Sequence, residues 1–150
     1  MNGADFTMLL TSGKGIPLNA ENLLEFVTNF RKFASFIEIV QSFEGAKGDL
    51  SFGFDDKNIW LWTGISRELA DILEELIIGE KIGMCLCPVF VYLADGGMLN
   101  MPLAKRNMKY KAPRWCPVTF SAYDVVKKNK QLMKFKASRI NTITNHWNGQ

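Results

Sequence analysis

At 150 residues, 47% hydrophobic and 22% charged, the chain has the size and composition of one domain that buries its own core, which argues against whole-chain disorder. Met1–Thr11 has no basic n-region and no long apolar stretch, and no apolar run approaches the roughly 18 residues of a membrane span, so neither a cleaved signal nor a membrane partner is expected. The formal charge of +3 hides a split: residues 1–103 carry seven Lys/Arg against fourteen Asp/Glu, a net −7, whereas residues 104–139 carry eleven Lys/Arg against Asp124 alone, a net +10.

Phe6–Thr11 has the character of a short strand and runs into a loop punctuated by Gly13, Gly15 and Pro17. Asn19 is a good N-cap, Glu21 suits the first turn, and Leu23, Phe26, Val27 and Phe30 recur at helical spacing. The end of this helix is ambiguous. Phe33, Ile37 and Val40 continue the helical spacing, yet Phe36–Val40 is rich in β-formers and Ile37, Ile39 and Phe43 share a strand face. We read a helix to about Ala34, then a strand. Glu44–Gly48 is a turn, and Leu50, Phe52 and Phe54 alternate with Ser51, Gly53 and Asp55 in a half-buried strand pattern that returns through Ile59–Trp62 as a hairpin.

The clearest helix spans Ser66–Ile78. Leu69, Ile72, Leu73, Leu76 and Ile77 form its apolar stripe, Glu68, Asp71, Glu74 and Glu75 lie mostly off it, and Gly79 sits where a C′ glycine belongs. Ile82–Cys87 and Val89–Ala94 read as two strands, or one bent at Pro88, and Asp95-Gly96-Gly97 as a hairpin turn returning through Met98–Leu103. Pro113 and Pro117 bracket an extended stretch, Val118–Tyr123 reads as a last strand, and Tyr123 to about Arg139 as a basic helix. The expected fold class is α+β, with antiparallel sheets packed on two amphipathic helices and a basic C-terminal helix. Residues 1–140 form the single domain and 141–150 a polar tail. A winged-helix arrangement with its wing at Asp95–Gly97 is a minor alternative.

The basic third is the functional clue. Lys and Arg attract phosphates, and aromatic faces stack on unpaired bases. Lys105, Arg106, Lys109, Lys111 and Arg114 would contact phosphates, Tyr110 or Trp115 would stack, and Lys127, Lys128 and Lys130 would widen the field. This reading is a small non-enzymatic protein that binds nucleic acid or another polyanion, provided these cations gather on one surface. Against it stands a solvated face, or pairing with the acidic helix. The alternative is a protein-interaction module (adaptor, inhibitor or homodimer) using an aromatic surface near Trp60 and Trp62 or the acidic helix 66–78.

Other constellations carry less. Lys14 is followed by Gly15 rather than the Ser or Thr of a Walker loop. Cys85, Cys87, Cys116 and His146 match no zinc spacing and no cofactor is implied, so the thiols read as buried core. The odd cysteine count suits a reducing, cytoplasmic setting. A hydrolytic triad would need His146, the only histidine, with Ser121 or Cys116, and no catalytic residue is assigned. Asp55 and Asp56 read as turn residues.

Overall fold

The computed structural model describes residues 14–133 and the backbone of 139–142. Within them the chain is α+β, as expected from the sequence. A short strand β1 (Ile16–Pro17) leads to helix α1 (Ala20–Glu25), whose Asn19 cap accepts a 2.8 Å hydrogen bond from the Asn22 amide. The helix widens into a π turn over Phe26–Phe30 and closes with an Arg31 amide bond to the Phe26 carbonyl at 2.7 Å. Phe33, at φ 61°, then reverses the chain into β2 (Ala34–Ser35).

The strand expected after Ala34 is instead helix α2 (Phe36–Ser42). A capping box outweighs the β-rich composition here. The Ser35 hydroxyl accepts from the Glu38 amide at 3.2 Å, and the Glu38 carboxylate accepts from the Ser35 amide at 3.4 Å. Ser35 also donates to Asp95 at 2.7 Å. Burial, then the nearby Asp95 carboxylate, raises the pKa of Glu38. Most of the β-forming side chains face inward: Phe36, Ile37 and Ile39 are buried and Val40 is half-buried.

β3 (Phe43–Glu44) pairs in parallel with β1. β4 (Lys47–Phe54) and β5 (Ile59–Ile65) form the predicted antiparallel hairpin, turned through Asp55–Lys57 and closed by Asn58 in the left-handed region. β4 is not half-buried. Its first three residues are exposed, but Ser51 and Gly53 are buried as well as Leu50 and Phe52, so both faces are covered over Leu50–Gly53. Ser51 resolves its polar burial by a 3.0 Å hydroxyl contact with Thr63, and Gly53 lies where a Cβ would meet the Ile59 carbonyl at 2.5 Å.

Helix α3 (Arg67–Ile78) is the expected one, with Ser66 accepting from the Leu69 amide and Leu69, Ala70, Leu73 and Leu76 buried. β6 (Ile82–Leu86) follows. The second strand expected over Val89–Ala94 is helix α4 (Val89–Asp95), and Gly96, at φ 116°, is its C-terminal stop rather than the tip of a hairpin. Both the Gly96 and Gly97 amides bond to the Tyr92 carbonyl at 3.0 Å. No hairpin returns through Met98–Leu103, so the winged-helix alternative loses its wing.

β7 (Arg114–Trp115) and β8 (Val118–Ala122) run into helix α5 (Tyr123–Lys128). This helix is shorter than the expected run to Arg139. It ends at Asn129–Lys130, with Lys130 left-handed, because the chain turns back onto β6: the Met133 amide bonds to the Met84 carbonyl at 2.9 Å. The rest of the expected helix, residues 134–138, lies outside the described residues. β9 (Arg139–Thr142) pairs antiparallel with β4, so residues 141 and 142, expected in the tail, belong to the sheet.

Among the described residues three sheets result, in the orders β1-β3, β2-β8-β6 and β7-β5-β4-β9. An aromatic nucleus joins the two larger ones. Phe36 packs on Phe52, Phe120 and Trp62, with ring centroids 5.1–6.4 Å apart. Trp62 and Trp115 each meet Tyr92 at 5.2 Å. The buried Tyr92 hydroxyl accepts from the Phe36 amide at 3.1 Å and donates to the Val118 carbonyl at 2.7 Å. Tyr92→Phe keeps the ring but strands a buried amide and a buried carbonyl. It should destabilise the fold by about 2–3 kcal/mol. Urea unfolding checks this, and a loss under about 0.5 kcal/mol would contradict it.

Candidate binding surface

The predicted contact residues fall into three structural groups. Lys105, Arg106, Lys109 and Lys111 are exposed on the loop between Leu103 and Pro113. Among the described residues none of them forms an ion pair with a carboxylate. The loop is braced from within. The Tyr110 hydroxyl accepts from the Lys105 and Arg106 amides at 3.1 and 3.0 Å and donates to the Arg106 carbonyl at 3.1 Å. Arg114 lies over the Tyr110 ring, 4.8 Å from its centre, and donates to the Leu103 carbonyl at 3.2 Å. Lys57 ties the loop to the hairpin turn through Asn107 at 2.6 Å.

Trp115 forms the second group and corrects the stacking expectation. It is fully buried and its indole N–H donates to the Leu61 carbonyl at 3.2 Å, which leaves no face for a base. Tyr110 is half-buried, with Arg114 over its ring. Lys127, Lys128 and Lys130 are the third group, exposed at and just beyond α5. Strands β7 and β8 stand between them and the 105–111 loop in the chain. The late cations are therefore carried on two elements, the loop before β7 and the end of α5.

The aromatic surface expected near Trp60 and Trp62 is core. Trp60 is 1% exposed and donates to the Asn58 side chain at 3.1 Å, and Trp62 is half-buried within the aromatic nucleus. The exposed apolar surface lies elsewhere. Phe90 is 76% exposed, Leu86 63%, Met98 54% and Leu93 50%. Phe90 and Leu93 stand at i and i+3 on α4, hence on one face, and Leu86 and Met98 flank the helix. This patch follows from the direction of Tyr92. With Tyr92 inside, the spacing of about 100° per residue turns Phe90 and Leu93 outward. The sequence signal was an apolar run too long for one face of a seven-residue helix, and a strand reading hid it.

The α4 patch and the basic loop share an anchor. Tyr92 contacts Trp115, and the Trp115 backbone bonds to the Pro102 carbonyl and the Ala104 amide, both at 2.8 Å. Lys105 is the next residue.

The remaining candidates have ordinary surroundings. Asp55 and Asp56 are exposed in the hairpin turn, and Lys14 is an exposed loop residue. Ser121 is buried with an unpartnered hydroxyl, and His146 lies outside the described residues. No group of three His, Cys, Asp or Glu among the described residues is placed to hold a metal, and no described helix is long and apolar enough to cross a membrane. The three cysteines are free. Burial, reinforced by Cys85, Cys116 and Asp95, pushes Cys87 up to about 12, and burial pushes Cys116 up to about 11. Both are neutral thiols at physiological pH and poor nucleophiles.

The chain matches no family model, no curated protein and no solved structure.

Two predictions follow from this geometry. Tyr110→Phe should release the loop: the Lys105 and Arg106 amides should exchange hydrogen about tenfold faster or more, with little change in global stability, which is read by hydrogen exchange with mass spectrometry. The cysteines set a basic limit to stability. Their folded pKa values lie above the ordinary 9.0. The folded state therefore favours the protonated form, and this stabilisation is complete below pH 9 and lost as pH rises towards about 11–12. Stability measured across this range should fall, and Cys87→Ser with Cys116→Ser should flatten the decline.

Proposed function

We propose that this chain is a non-enzymatic protein-interaction module whose docking surface is the outer face of α4. One observation carries the reading: Leu86, Phe90, Leu93 and Met98 are all at least half exposed over a stretch of thirteen residues. Burying one such side chain is worth about 1.5–3 kcal/mol. Exposed large apolar side chains concentrated on one helix face and at its two ends favour a contact surface. It is supported by the rigidity beneath it, since α4 is held to the core through Tyr92 and stopped by Gly96. A reducing, cytoplasmic setting belongs to the same proposal and is supported by the three free thiols.

The test compares immobilised wild-type chain with Phe90→Asp in an extract of the source cells. Partners retained by the wild type should be lost at least about tenfold on the variant, since the substitution removes an anchor from the centre of the patch. Retention that ignores Phe90 overturns the reading.

A second reading rests on the unpaired cations of the 105–111 loop: contact with nucleic acid or another polyanion through phosphates, without base stacking. Lys105, Arg106, Lys109 and Lys111 would supply the contacts, and Lys127, Lys128 and Lys130 would widen the field. Four phosphate contacts would give a salt slope of about −3 to −4 on a log–log plot for duplex DNA. Fluorescence anisotropy at low salt decides it: no binding there removes this reading.

A further inference from the structure

Lys57 belongs to the acidic part of the sequence, yet the fold joins it to the basic loop. Its ammonium donates to the Asn107 side chain at 2.6 Å, and its carbonyl accepts from the Tyr110 amide at 3.0 Å. The next residue of the turn, Asn58, accepts from the Arg114 amide at 2.9 Å through its carbonyl. Turn and loop are thus one unit. It carries Lys57, Lys105, Arg106, Lys109, Lys111 and Arg114 against Asp55 and Asp56. Among the described residues none of these groups is in an ion pair. Asn107 takes one ammonium hydrogen of Lys57 and leaves the others for a ligand.

The unit offers cations without a ring. Tyr110 packs against the core with Arg114 over it, and Trp115 is fully buried. The large apolar side chains exposed along the loop, Leu103 and Met108, are aliphatic. Single strands are held by cations together with rings on which unpaired bases stack. A double helix keeps its bases inside. It presents one phosphate charge per roughly 1.7 Å of axis, against roughly 3.4 Å for a single strand. A surface of cations alone gains from the denser charge and has nothing to offer an unpaired base.

We propose that this unit binds double-helical nucleic acid in preference to single strands, with Lys57 as a phosphate contact beside Lys105, Arg106, Lys109 and Lys111. The proposal rests on the phosphate reading of the loop and names its ligand class and a further contact residue.

Fluorescence anisotropy of the full chain with a labelled DNA duplex of about 20 base pairs, and with one of its strands alone, tests this. At low salt the duplex should bind about tenfold tighter or more. Lys57→Gln removes the charge and keeps a donor for Asn107. It should lower the log–log salt slope on the duplex by about 1, and Lys57→Arg, which keeps the charge, should retain the slope. Lys32→Gln, at an exposed lysine before β2, should leave the slope as it is. A single strand held as tightly as the duplex overturns the proposal and leaves the phosphate reading standing, as does a slope that ignores Lys57→Gln. Phosphatidylcholine vesicles with about one-quarter phosphatidylserine serve as the competing polyanion. Tighter retention on them than on the duplex also overturns the proposal. No binding to either nucleic acid at low salt overturns both the proposal and nucleic-acid contact by the loop.

Discussion

The structure depends on how Tyr92 divides its two ends between two sheets. Its hydroxyl bridges the start of α2 and strand β8, both at the three-stranded sheet, through the Phe36 amide and the Val118 carbonyl. Its ring meets Trp62 and Trp115, which belong to the four-stranded sheet. A phenol suits this place because it joins a large apolar face to a single polar tip, and the tip here satisfies two buried backbone groups at once. Burial drives the phenol pKa far up, so the hydroxyl keeps its proton and remains the donor that Val118 needs.

The same constraint shapes the surface. α4 has seven residues and one side chain that must point inward, so the orientation of the whole helix is set by Tyr92. Helical spacing then places Phe90 and Leu93 outside whether or not water is a good environment for them. The loop beyond is governed by the next member of the nucleus. Trp115 is fixed by its indole bond to Leu61, and its backbone fixes Pro102 and Ala104, from which Lys105 emerges. Exposed apolar and exposed basic side chains are therefore attached to one core rather than carried on independent segments.

Ser35 shows how a local polar choice settles what composition leaves open. Phe36–Val40 has the residues of a strand, and the capping box with Glu38, reinforced by Asp95, makes it a helix. Asp95 lies sixty residues away in the chain. α2 and the end of α4 are thus tied together, and the Asp95–Gly97 segment that resembled a hairpin tip is instead the seam between two helices.

Several features were legible in the sequence because their causes are local. The α1 cap at Asn19, the Ser66 cap and amphipathic stripe of α3, the Phe52–Trp62 hairpin and strand β8 each follow from spacing and turn chemistry within about a dozen residues. The α+β class and the unequal distribution of charge belong with them. Tertiary structure decided the rest. A run such as Val89-Phe90-Val91-Tyr92 is equally apolar as strand or helix, and only the distant partners of Tyr92 select the helix and turn Phe90 outward. Trp115 looked like a stacking ring because a sequence shows a residue's type and not its burial. The late lysines and arginines lie within one third of the chain, but they stand on two elements, the loop before β7 and the end of α5 after β8. Periodicity and capping act between near neighbours, whereas burial, facing and clustering depend on contacts between residues far apart in the chain.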